Sequence, residues 1–454
     1  MPLQSINPAN GQVLREFEIW RPDQLDKVLA RAAEAAPRWA AQPLATRAEL
    51  LRKAASLLRD KKDEFARLIT LEMGKLVKES RAEVEKCAWA CEFYAEHGAE
   101  FLKDEAVATE AGKSYVAYEP LGVVLAVMPW NFPFWQVFRF AAPSLLAGNT
   151  ALLKHAANVP QCAEAIEGVF NEAGLPPGVF QNLPIEAAQV AEIIADRRVQ
   201  AVTLTGSERA GRAVAKQAGE HLKKAVLELG GSDAFIVLED ADLDLTVESA
   251  VTSRFLNAGQ SCIAAKRFIV ADTVADEFIQ RLAASVKTLH PGDPLDETTT
   301  LAPLARQDLR DELHRHVTDS LAAGASTVTG CVPLPGPGAF YAPSILDWVK
   351  PGMPAFDEEL FGPVAAIIRV RDEGEAVQLA NASRYGLGGS IWTRDPERGE
   401  RLARRLECGL TFVNGMVKSD PRLPFGGVKS SGYGRELAQF GPREFVNIKT
   451  VWIR

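Results

Sequence analysis

The 454-residue sequence has few cysteines, no long apolar run and no cluster of basic residues. Six cysteines are too few for a disulfide-stabilised scaffold, and none forms a CxxC pair that would suggest a metal site. The most apolar stretch, 121–135, is shorter than the roughly 18–20 residues that cross a bilayer, and prolines interrupt it. The net charge is −8, with scattered Lys and Arg, so we expect neither nucleic acid nor a membrane as a partner.

The beginning of the chain lacks the basic and apolar segments of a signal peptide. The six histidines show no HExxH pattern, so we expect no metal ion. A soluble protein in a reducing, cytoplasmic setting is therefore expected. The length and an ordinary hydrophobic content of 47% predict about two to three domains with a sizeable core.

Hydrophobic periodicity predicts three amphipathic helices followed by alternating strands and helices. The three helices cover 23–40, 45–70 and 75–100. Strands at 123–128, 150–154 and 199–205 then alternate with helices at 134–146, 161–173 and 208–220. Strands that alternate with helices of ten or more residues indicate βαβ units around a parallel sheet.

A second region with the same alternation begins after two glycines, Gly230 and Gly231. Its candidate strands are 235–238, 267–270, 365–370 and 410–414, and its candidate helices lie near 274–288, 306–323, 374–383 and 396–405. We therefore predict two packed α/β domains with a ligand-binding cleft between them.

Two residues are candidates for catalysis. Glu228 is the only charged residue in the apolar run 225–231, where desolvation would raise the pKa of its carboxyl group towards that of a general base. The alternative is a buried ion pair with a Lys or Arg. Cys262 directly follows the polar turn 257–261. This setting makes it a better candidate nucleophile than a cysteine on an apolar helix face, because thiolate formation needs exposure and nearby dipoles.

Two further segments have both a functional and a plain structural interpretation. Asn131 lies between two prolines after a buried strand, where its amide can donate to an oxyanion together with the backbone N–H of Cys262, or cap a helix. The segment 205–211 joins a strand to a helix, and a glycine there lets phosphate approach the helix N-terminus. Its GxxxxG spacing differs from the GxGxxG fingerprint, so a simple turn is equally compatible.

Together these segments resemble the aldehyde dehydrogenase superfamily over nearly the whole chain. The motifs are NPANG at 7–11, EPLG at 119–122, PWNFP at 129–133, GSERAG at 206–211, LELGG at 227–231, GQSC at 259–262, ELFGP at 359–363, Asn381 with YGL at 385–387, and PFGGVKSSG at 424–432. The resemblance implies an α/β fold with a Rossmann-like cofactor domain (1–100 and 121–231), an α/β catalytic domain (232–432) and a small β oligomerisation arm (101–120 and 433–454). It also implies a homodimer or homotetramer.

The resemblance implies a role for each candidate. Cys262 would attack the aldehyde to give a thiohemiacetal and then a thioester, Asn131 and the Cys262 amide would form the oxyanion hole, and Glu228 would activate the hydrolytic water. The implied cofactor-binding residues are Trp130, Lys154, Ala157, Gly206, Ser207, Gly211, Leu229, Glu359 and Phe361.

The cofactor expected from the resemblance is NAD or NADP. Many NAD-preferring members carry a Glu three positions after the residue matched by Lys154, where this chain has Ala157. Without that carboxylate the chain lacks an acceptor for the ribose 2′-hydroxyl and also lacks the repulsion of a 2′-phosphate. We therefore expect dual use of the two cofactors.

The expected substrate site lies around the helix that follows Asn131. Trp135 and Arg139 are four residues apart and share a helix face. Arg139 and Ser419 stand where members acting on neutral aldehydes tend to have aromatic residues, so they suit a carboxylate tail. The alternative is that Arg139 pairs with a neighbouring Asp or Glu and does not contribute to the aldehyde-binding tunnel. Ser261 and Phe425 complete the predicted site.

These features are similar to the compact succinate-semialdehyde dehydrogenases of the superfamily. The expected reaction is the oxidation of succinate semialdehyde to succinate, with another small semialdehyde or an aliphatic aldehyde as the alternative. A CoA-acylating enzyme is disfavoured because Glu228, which hydrolysis needs, is present. A non-catalytic binding protein is disfavoured because Cys262, Glu228 and Asn131 are all in place.

Overall fold

The computed structural model describes residues 3–454. Its helices are α1 (Pro22–Ala40), α2 (Leu44–Asp60), α3 (Lys62–Met73), α4 (Val77–Phe101), α5 (Trp135–Ala147), α6 (Pro160–Glu172), α7 (Val190–Ala195), α8 (Glu208–Glu220), α9 (Leu243–Phe255), α10 (Asp272–Val286), α11 (Gln307–Ala322), α12 (Pro354–Asp357), α13 (Glu373–Asn381), α14 (Pro396–Ala403) and α15 (Phe440–Glu444). Short 3-10 turns lie at Ala187–Gln189 and Leu256–Gly259.

The strands run through the chain between these helices. They are β1 (Leu3–Ile6), β2 (Val13–Phe17), β3 (Glu105–Ala106), β4 (Lys113–Pro120), β5 (Val123–Val127), β6 (Thr150–Lys154), β7 (Phe180–Asn182), β8 (Val199–Thr205), β9 (Lys224–Glu228), β10 (Asp233–Val237), β11 (Ala265–Ala271), β12 (Ser326–Thr329), β13 (Ser344–Asp347), β14 (Val364–Val370), β15 (Tyr385–Gly386), β16 (Gly388–Trp392), β17 (Leu410–Val413), β18 (Val428–Lys429), β19 (Gly432–Tyr433) and β20 (Val446–Ile453).

Two largely parallel sheets form the centre of the molecule. The first has the strand order β19-β9-β8-β5-β6-β7, and the second has the order β12-β13-β14-β11-β10-β16-β17. In each sheet one edge strand, β19 or β12, runs antiparallel to its neighbour. The central strands are continuous apolar runs because helices cover both faces of each sheet. The predicted α/β fold with Rossmann-like parallel sheets is confirmed.

Apolar clusters lie on both faces of the first sheet. Val124 and Ala126 of β5 belong to one cluster, with residues of α2, α4, α5 and α6, whereas Val123 and Leu125 belong to another, with residues of α1, α7 and α8. Alternate residues of a strand point to opposite faces, so this division follows from the pleat. Helix α5 is buried along its whole length. The segment that carries the predicted substrate residues is therefore a core helix.

One predicted helix is wrong in its extent. The predicted helix at 45–70 is two helices, α2 and α3, separated by Lys61, whose φ of −104° and ψ of 19° lie outside the helical range. Leu58 before the break and Phe65 after it are both buried in the same cluster. The hydrophobic pattern therefore continues across a break in the backbone, which periodicity does not reveal.

The predicted domain boundaries can be compared with the strand pairing. The parallel strands of the first sheet lie within 123–228, and all strands of the second sheet lie within 233–413. However, β19 begins at 432, where the predicted catalytic domain ends, and pairs with β9 of the first sheet. The chain therefore returns to the first sheet at this point, and the domain assignment stays a prediction.

The C-terminal strand forms a third sheet with the order β20-β4-β3. Strand β20 pairs with β4 along its whole length, from Val446 opposite Pro120 to Ile453 opposite Lys113. It lies within the segment 433–454 of the predicted oligomerisation arm. The role of this sheet in oligomerisation stays a prediction. Across residues 3–454, no helix combines the length and apolar character needed to cross a membrane.

Candidate active site

Two cavities meet at Cys262, which lies in the wall of both. The first, which we call the cleft, has a volume of about 580 Å³ and is lined by predicted cofactor and catalytic residues, namely Trp130, Asn131, Gly206, Ser207, Leu229, Glu359 and Phe361. The second, which we call the tunnel, has a volume of about 430 Å³ and is lined by the predicted substrate residues Trp135, Arg139, Ser261, Ser419 and Phe425. Cys262 is thus accessible from both sides.

A strained turn precedes Cys262. Asn257, Ala258 and Gly259 have φ values of 54°, 51° and 75°, which is three consecutive residues in the left-handed region. This conformation is costly for Ala258, which has no side-chain polar group to compensate. A side chain at Gly259 would collide with the carbonyl oxygen of Gly362. The turn therefore depends on the contacts around it.

Lys266 holds the backbone on the other side of the nucleophile. Its buried ammonium donates to the carbonyl oxygens of Ser261 at 2.7 Å, Cys262 at 2.8 Å and Ala264 at 3.3 Å. The same ammonium lies 3.5 Å from Glu359 Oε1. All three of its N–H groups are satisfied by the protein. Lys266 therefore couples the position of Cys262 to that of a predicted cofactor ligand.

The surroundings of the Cys262 thiol favour its protonated form. Burial raises its pKa to about 12, opposed in part by the positive charges of Lys266 and Arg139. The proton must therefore leave as the sulfur attacks a carbonyl carbon. Of the six cysteines, all of which lie within residues 3–454, Cys262 is the one that lines the cleft and the tunnel.

Asn131 is held in place beside Cys262. The side-chain Nδ2 of Asn131 donates to the backbone carbonyl oxygen of Gln260 at 3.0 Å, and the backbone carbonyl oxygen of Asn131 accepts from Asn257 Nδ2 at 2.8 Å. An amide nitrogen carries two hydrogens, so one N–H of Asn131 is available for an oxyanion in the cleft. The backbone N–H of Cys262 has no acceptor among the residues the structure describes. Two donors thus lie close to the reactive sulfur.

The alternative role of Asn131 as a helix cap is not observed. Helix α5 begins four residues later, at Trp135. The carboxylate of Glu83 accepts from the backbone N–H groups of Phe134 at 2.9 Å and Trp135 at 3.0 Å, and so occupies the position of a cap. The side chain of Asn131 is therefore not used as a helix cap, and its second N–H can donate to a ligand in the cleft.

The wall of the cleft combines aromatic faces with a carboxylate. Trp130 and Phe361 meet edge to face with their ring centroids 5.7 Å apart. Glu359 Oε1 accepts from the backbone N–H of Gly231 at 3.1 Å, and a Cβ on Gly230 would lie 2.5 Å from Glu359 Oε2. The absence of a side chain at Gly230 therefore allows the carboxylate to lie against the backbone.

The turn after β8 contains predicted cofactor-binding residues, of which some line the cleft and one does not. Gly206 and Ser207 line the cleft, and Ser207 Oγ accepts from the N–H of Ala210 and caps α8. Gly211 does not line the cleft, because it lies under Leu229, whose side chain a Cβ would approach to 2.5 Å. The absence of a side chain at Gly211 thus allows close packing of Leu229 on α8, and the cofactor contact of Gly211 stays a prediction.

Lys154 and Ala157 lie outside the walls of the cleft. Lys154 ends β6, is buried, and has no carboxylate within 4.0 Å in the region from 3 to 454; burial lowers its pKa. Ala157 is exposed in the following turn. An unpaired cation next to a small exposed residue suits the ribose or phosphate oxygens of a dinucleotide.

Glu228 is a buried carboxyl group without a partner. It ends β9, is 2% exposed, and neither of its carboxyl oxygens has a hydrogen-bond partner within residues 3–454. Burial raises its pKa well above the usual value, and the charge of Glu436 adds to this shift. Its carboxyl group lies against Gly426 and lines neither cavity. The predicted alternative, a direct ion pair, is therefore absent from the described residues.

Arg139 lies at the predicted substrate site and also has a counter-charge within the protein. It lines the tunnel, but its guanidinium forms an ion pair with Glu436 and its Nη2 donates to Thr205 Oγ1 at 3.1 Å. It also lies over the ring of Phe425, 4.5 Å from the centroid. The ion pair agrees with the predicted alternative, whereas the position in the tunnel wall agrees with the predicted substrate site, so the role of Arg139 towards the substrate stays a prediction. Sequence reasoning missed Glu436 because the pair joins residues distant in the chain.

The sequence analysis also missed a lysine in the tunnel. Lys86 of α4 lines the tunnel, and its Nζ donates to Ser419 Oγ at 2.6 Å. The available signal was that Lys86 lies three residues after Glu83 on the same face of a helix whose neighbouring residue Cys87 is buried. Periodicity assigned this helix to the core and did not connect it with position 419.

Three comparisons describe what this chain resembles. The family model described as Aldehyde dehydrogenase family matches residues 1–451. A Synechocystis protein named probable succinate-semialdehyde dehydrogenase (NADP(+)) is 52% identical over 453 residues, which cover 100% of both chains. An Escherichia coli succinate semialdehyde dehydrogenase (NAD(P)+) is 50% identical, covering 99% of this chain and 97% of its own. The structure of succinic semialdehyde dehydrogenase from Streptococcus pyogenes with NADP+ has a TM-score of 0.98, 41% identity and 99% coverage of each chain.

The buried pair of Arg139 and Glu436 makes a prediction about stability. Replacing Arg139 by Met leaves Glu436 buried and unpaired, which is expected to lower the free energy of unfolding by about 3–5 kcal/mol at neutral pH. The loss should shrink as the pH falls, because a carboxyl group whose pKa burial raises then takes up a proton. Urea denaturation at neutral and acidic pH measures both effects.

The matched control removes both charges. The variant that combines Arg139→Met with Glu436→Gln should lose less stability than the sum of the two single variants, since neither partner is then left charged and alone. Additive losses would show that the two groups do not interact in solution.

Proposed function

Because this chain belongs to the aldehyde dehydrogenase family, we propose that it oxidises succinate semialdehyde to succinate with NAD or NADP as the hydride acceptor. The observation that carries the proposal is the position of Cys262 between a cleft suited to a dinucleotide and a tunnel with cationic and hydroxyl groups in its wall. The names of the relatives in Synechocystis and Escherichia coli support an aldehyde that bears a carboxylate.

The residues of the cleft fit a nicotinamide dinucleotide. Glu359 offers carboxylate oxygens to ribose hydroxyls, and Trp130 and Phe361 offer aromatic faces beside a ring. Gly206 and Ser207, at the N-terminus of α8, suit the pyrophosphate, because unpaired backbone N–H groups there attract anions. When bound, the nicotinamide accepts a hydride from the carbon that is attached to sulfur.

The first half of the reaction depends on Cys262 and the two donors beside it. Cys262 Sγ attacks the aldehyde carbon, the S–C bond forms, and the thiol proton passes to solvent. The negative charge moves to the former carbonyl oxygen, where an N–H of Asn131 and the backbone N–H of Cys262 stabilise it. Loss of hydride from the same carbon leaves a thioester on Cys262.

The second half of the reaction is hydrolysis. Glu228 removes a proton from water, the hydroxide attacks the thioester carbon, and the C–S bond breaks to release the carboxylate and regenerate the thiol. The raised pKa of Glu228 makes it a stronger base once ionised. Since its carboxyl group lies against Gly426, its side chain must rotate to reach this water. Overall, aldehyde, oxidised cofactor and water give carboxylate, reduced cofactor and two protons.

The third sheet supports the proposal of a homodimer or homotetramer. Its edge strand β20 exposes three large apolar side chains, Ile448, Trp452 and Ile453. An exposed apolar edge strand invites pairing with another strand, and a second copy of the chain offers the same edge.

The substrate assignment predicts a preference that kinetics can measure. The purified protein should oxidise succinate semialdehyde with a kcat/KM about ten- to a hundredfold above that for butanal, because hydrogen bonds to a charged group contribute about 1.5–3 kcal/mol. Absorbance of the reduced cofactor measures the rate, and Cys262→Ala should abolish it. Equal values for butanal would contradict this substrate, and a higher value for glutarate semialdehyde would indicate the longer acid. Full activity of Cys262→Ala would contradict the mechanism.

The role of Glu228 predicts a separation of the two half-reactions. Glu228→Gln keeps the shape of the side chain but cannot accept a proton, so kcat should fall by about 10²- to 10⁴-fold. Oxidation should still occur once per subunit, which rapid-mixing absorbance would detect as a burst and mass spectrometry as an acylated Cys262. In the parent, kcat should fall as the pH drops below the raised pKa of Glu228, because the base must be ionised. Steady turnover without a burst would refute this assignment.

The absence of an acid at position 157 predicts how the cofactor preference can be changed. Ala157→Glu places a carboxylate near Lys154, which should raise the KM for NADP by about tenfold or more, since like charges repel, and leave that for NAD less affected. Ala157→Gln, of the same size without the charge, is the matched control. If both variants changed the two KM values equally, bulk rather than charge would be responsible.

A further inference from the structure

Lys86 is a lysine whose ammonium group lies in the wall of the tunnel, together with Cys262. Its Nζ donates to Ser419 Oγ at 2.6 Å and lies 4.3 Å from the centroid of the Trp135 ring. The hydroxyl and the aromatic face orient the ammonium group but carry no negative charge. An ammonium has three N–H donors, so Ser419 leaves Lys86 with further donors for another acceptor.

The acids that act on Lys86 are occupied by other groups. Glu83 forms an ion pair with Lys75 and also accepts from the first N–H groups of α5. Asp420 is bound by Arg422, with a closest distance of 2.7 Å. Within residues 3–454, no carboxylate oxygen lies within 4.0 Å of Lys86 Nζ. The ammonium of Lys86 thus lacks a direct counter-charge.

The tunnel is also lined by the cations Lys75, Lys78, Arg139 and Lys418. Lys78 donates to the carbonyl oxygen of Thr299 at 3.1 Å, and Lys418 is exposed to solvent. Arg139 is neutralised by Glu436, and Lys75 by Glu83. Burial lowers the pKa of Lys86 to about 8, with a further contribution from the charge of Arg139, whereas a bound carboxylate would stabilise its charged form. A half-buried cation without a partner loses part of its hydration in the empty tunnel, and an anionic ligand compensates for that loss.

We propose that Lys86, oriented by Ser419 and Trp135, binds the carboxylate of the aldehyde substrate and makes the tunnel selective for acid aldehydes. This inference rests on the proposed oxidation of succinate semialdehyde. Lys86 attracts the carboxylate of an acid aldehyde. A neutral aldehyde of the same shape would cover the ammonium without pairing with it, which disfavours its binding. Arg139 then contributes hydrogen bonds and packing rather than net charge.

The test compares succinate semialdehyde with 4-methylpentanal, in which an uncharged isopropyl group replaces the carboxylate. Lys86→Met keeps an unbranched apolar side chain and removes the charge. We expect kcat/KM for succinate semialdehyde to fall about ten- to a hundredfold, mainly through KM, as expected for the loss of a hydrogen bond to a charged group. The value for 4-methylpentanal should be unchanged or higher, which would also show that the variant is folded. Inhibition by succinate should weaken in parallel.

Two further variants separate a direct contact from general electrostatics. Lys86→Arg keeps the charge and should retain more of the preference than Lys86→Met. Lys418→Met removes an exposed charge that also lines the tunnel, next to Ser419 in the chain but without a hydrogen bond to it, and should reduce the preference much less than Lys86→Met. An equal loss of preference in Lys418→Met and Lys86→Met would overturn the assignment, because the effect would then be one of overall charge.

The remaining outcomes distinguish this inference from the proposed function. If the parent prefers succinate semialdehyde and Lys86→Met keeps that preference, the assignment of Lys86 is wrong and the proposed function stands. If the parent itself shows no preference for the acid over 4-methylpentanal, the proposed function is wrong in its substrate.

Discussion

The active site depends on the contact between the Lys266 ammonium and the backbone around Cys262. Three carbonyl oxygens converge on one buried cation, and the preceding turn holds three residues in the left-handed region. Neither feature is stable alone, because the turn is strained and the cation is desolvated. Together they fix Cys262 where the cleft and the tunnel meet. The contact of Lys266 with Glu359 extends the same constraint to the predicted cofactor site.

Burial has three different consequences for the charged groups of this site. Arg139 and Glu436 are buried as a pair, so their charges compensate each other. Glu228 is buried without a partner, which raises the pKa of its carboxyl group and suits a proton acceptor. Lys86 is half-buried beside a hydroxyl and an aromatic ring, which orient its charge without neutralising it. The structure thus separates a structural charge, a reactive one and one available to a ligand.

Much of the fold and of the candidate site could be predicted from sequence patterns. The alternation of strands and helices indicates parallel sheets because a parallel strand needs a crossover. Pattern-based prediction fails at Lys61, where a break divides one predicted helix into two helices that pack into the same cluster. It also fails at β16, because the glycines of this strand are not typical of a strand although β16 lies between β10 and β17. There Gly388 is required because a Cβ would lie 2.5 Å from Asp233 Oδ2. A contact of that kind joins residues distant in sequence.

Local sequence patterns are sufficient to predict the α/β class, the polar turn that precedes Cys262 and the unusual charge at Glu228, because each depends on neighbouring residues. Which charged groups contact each other follows from the packing of distant segments. The pair of Arg139 with Glu436, the bond from Lys86 to Ser419 and the packing of Gly211 under Leu229 each join segments separated in the chain. Local patterns carry no information about such distances, and the free energy of a buried charge depends on the groups that surround it.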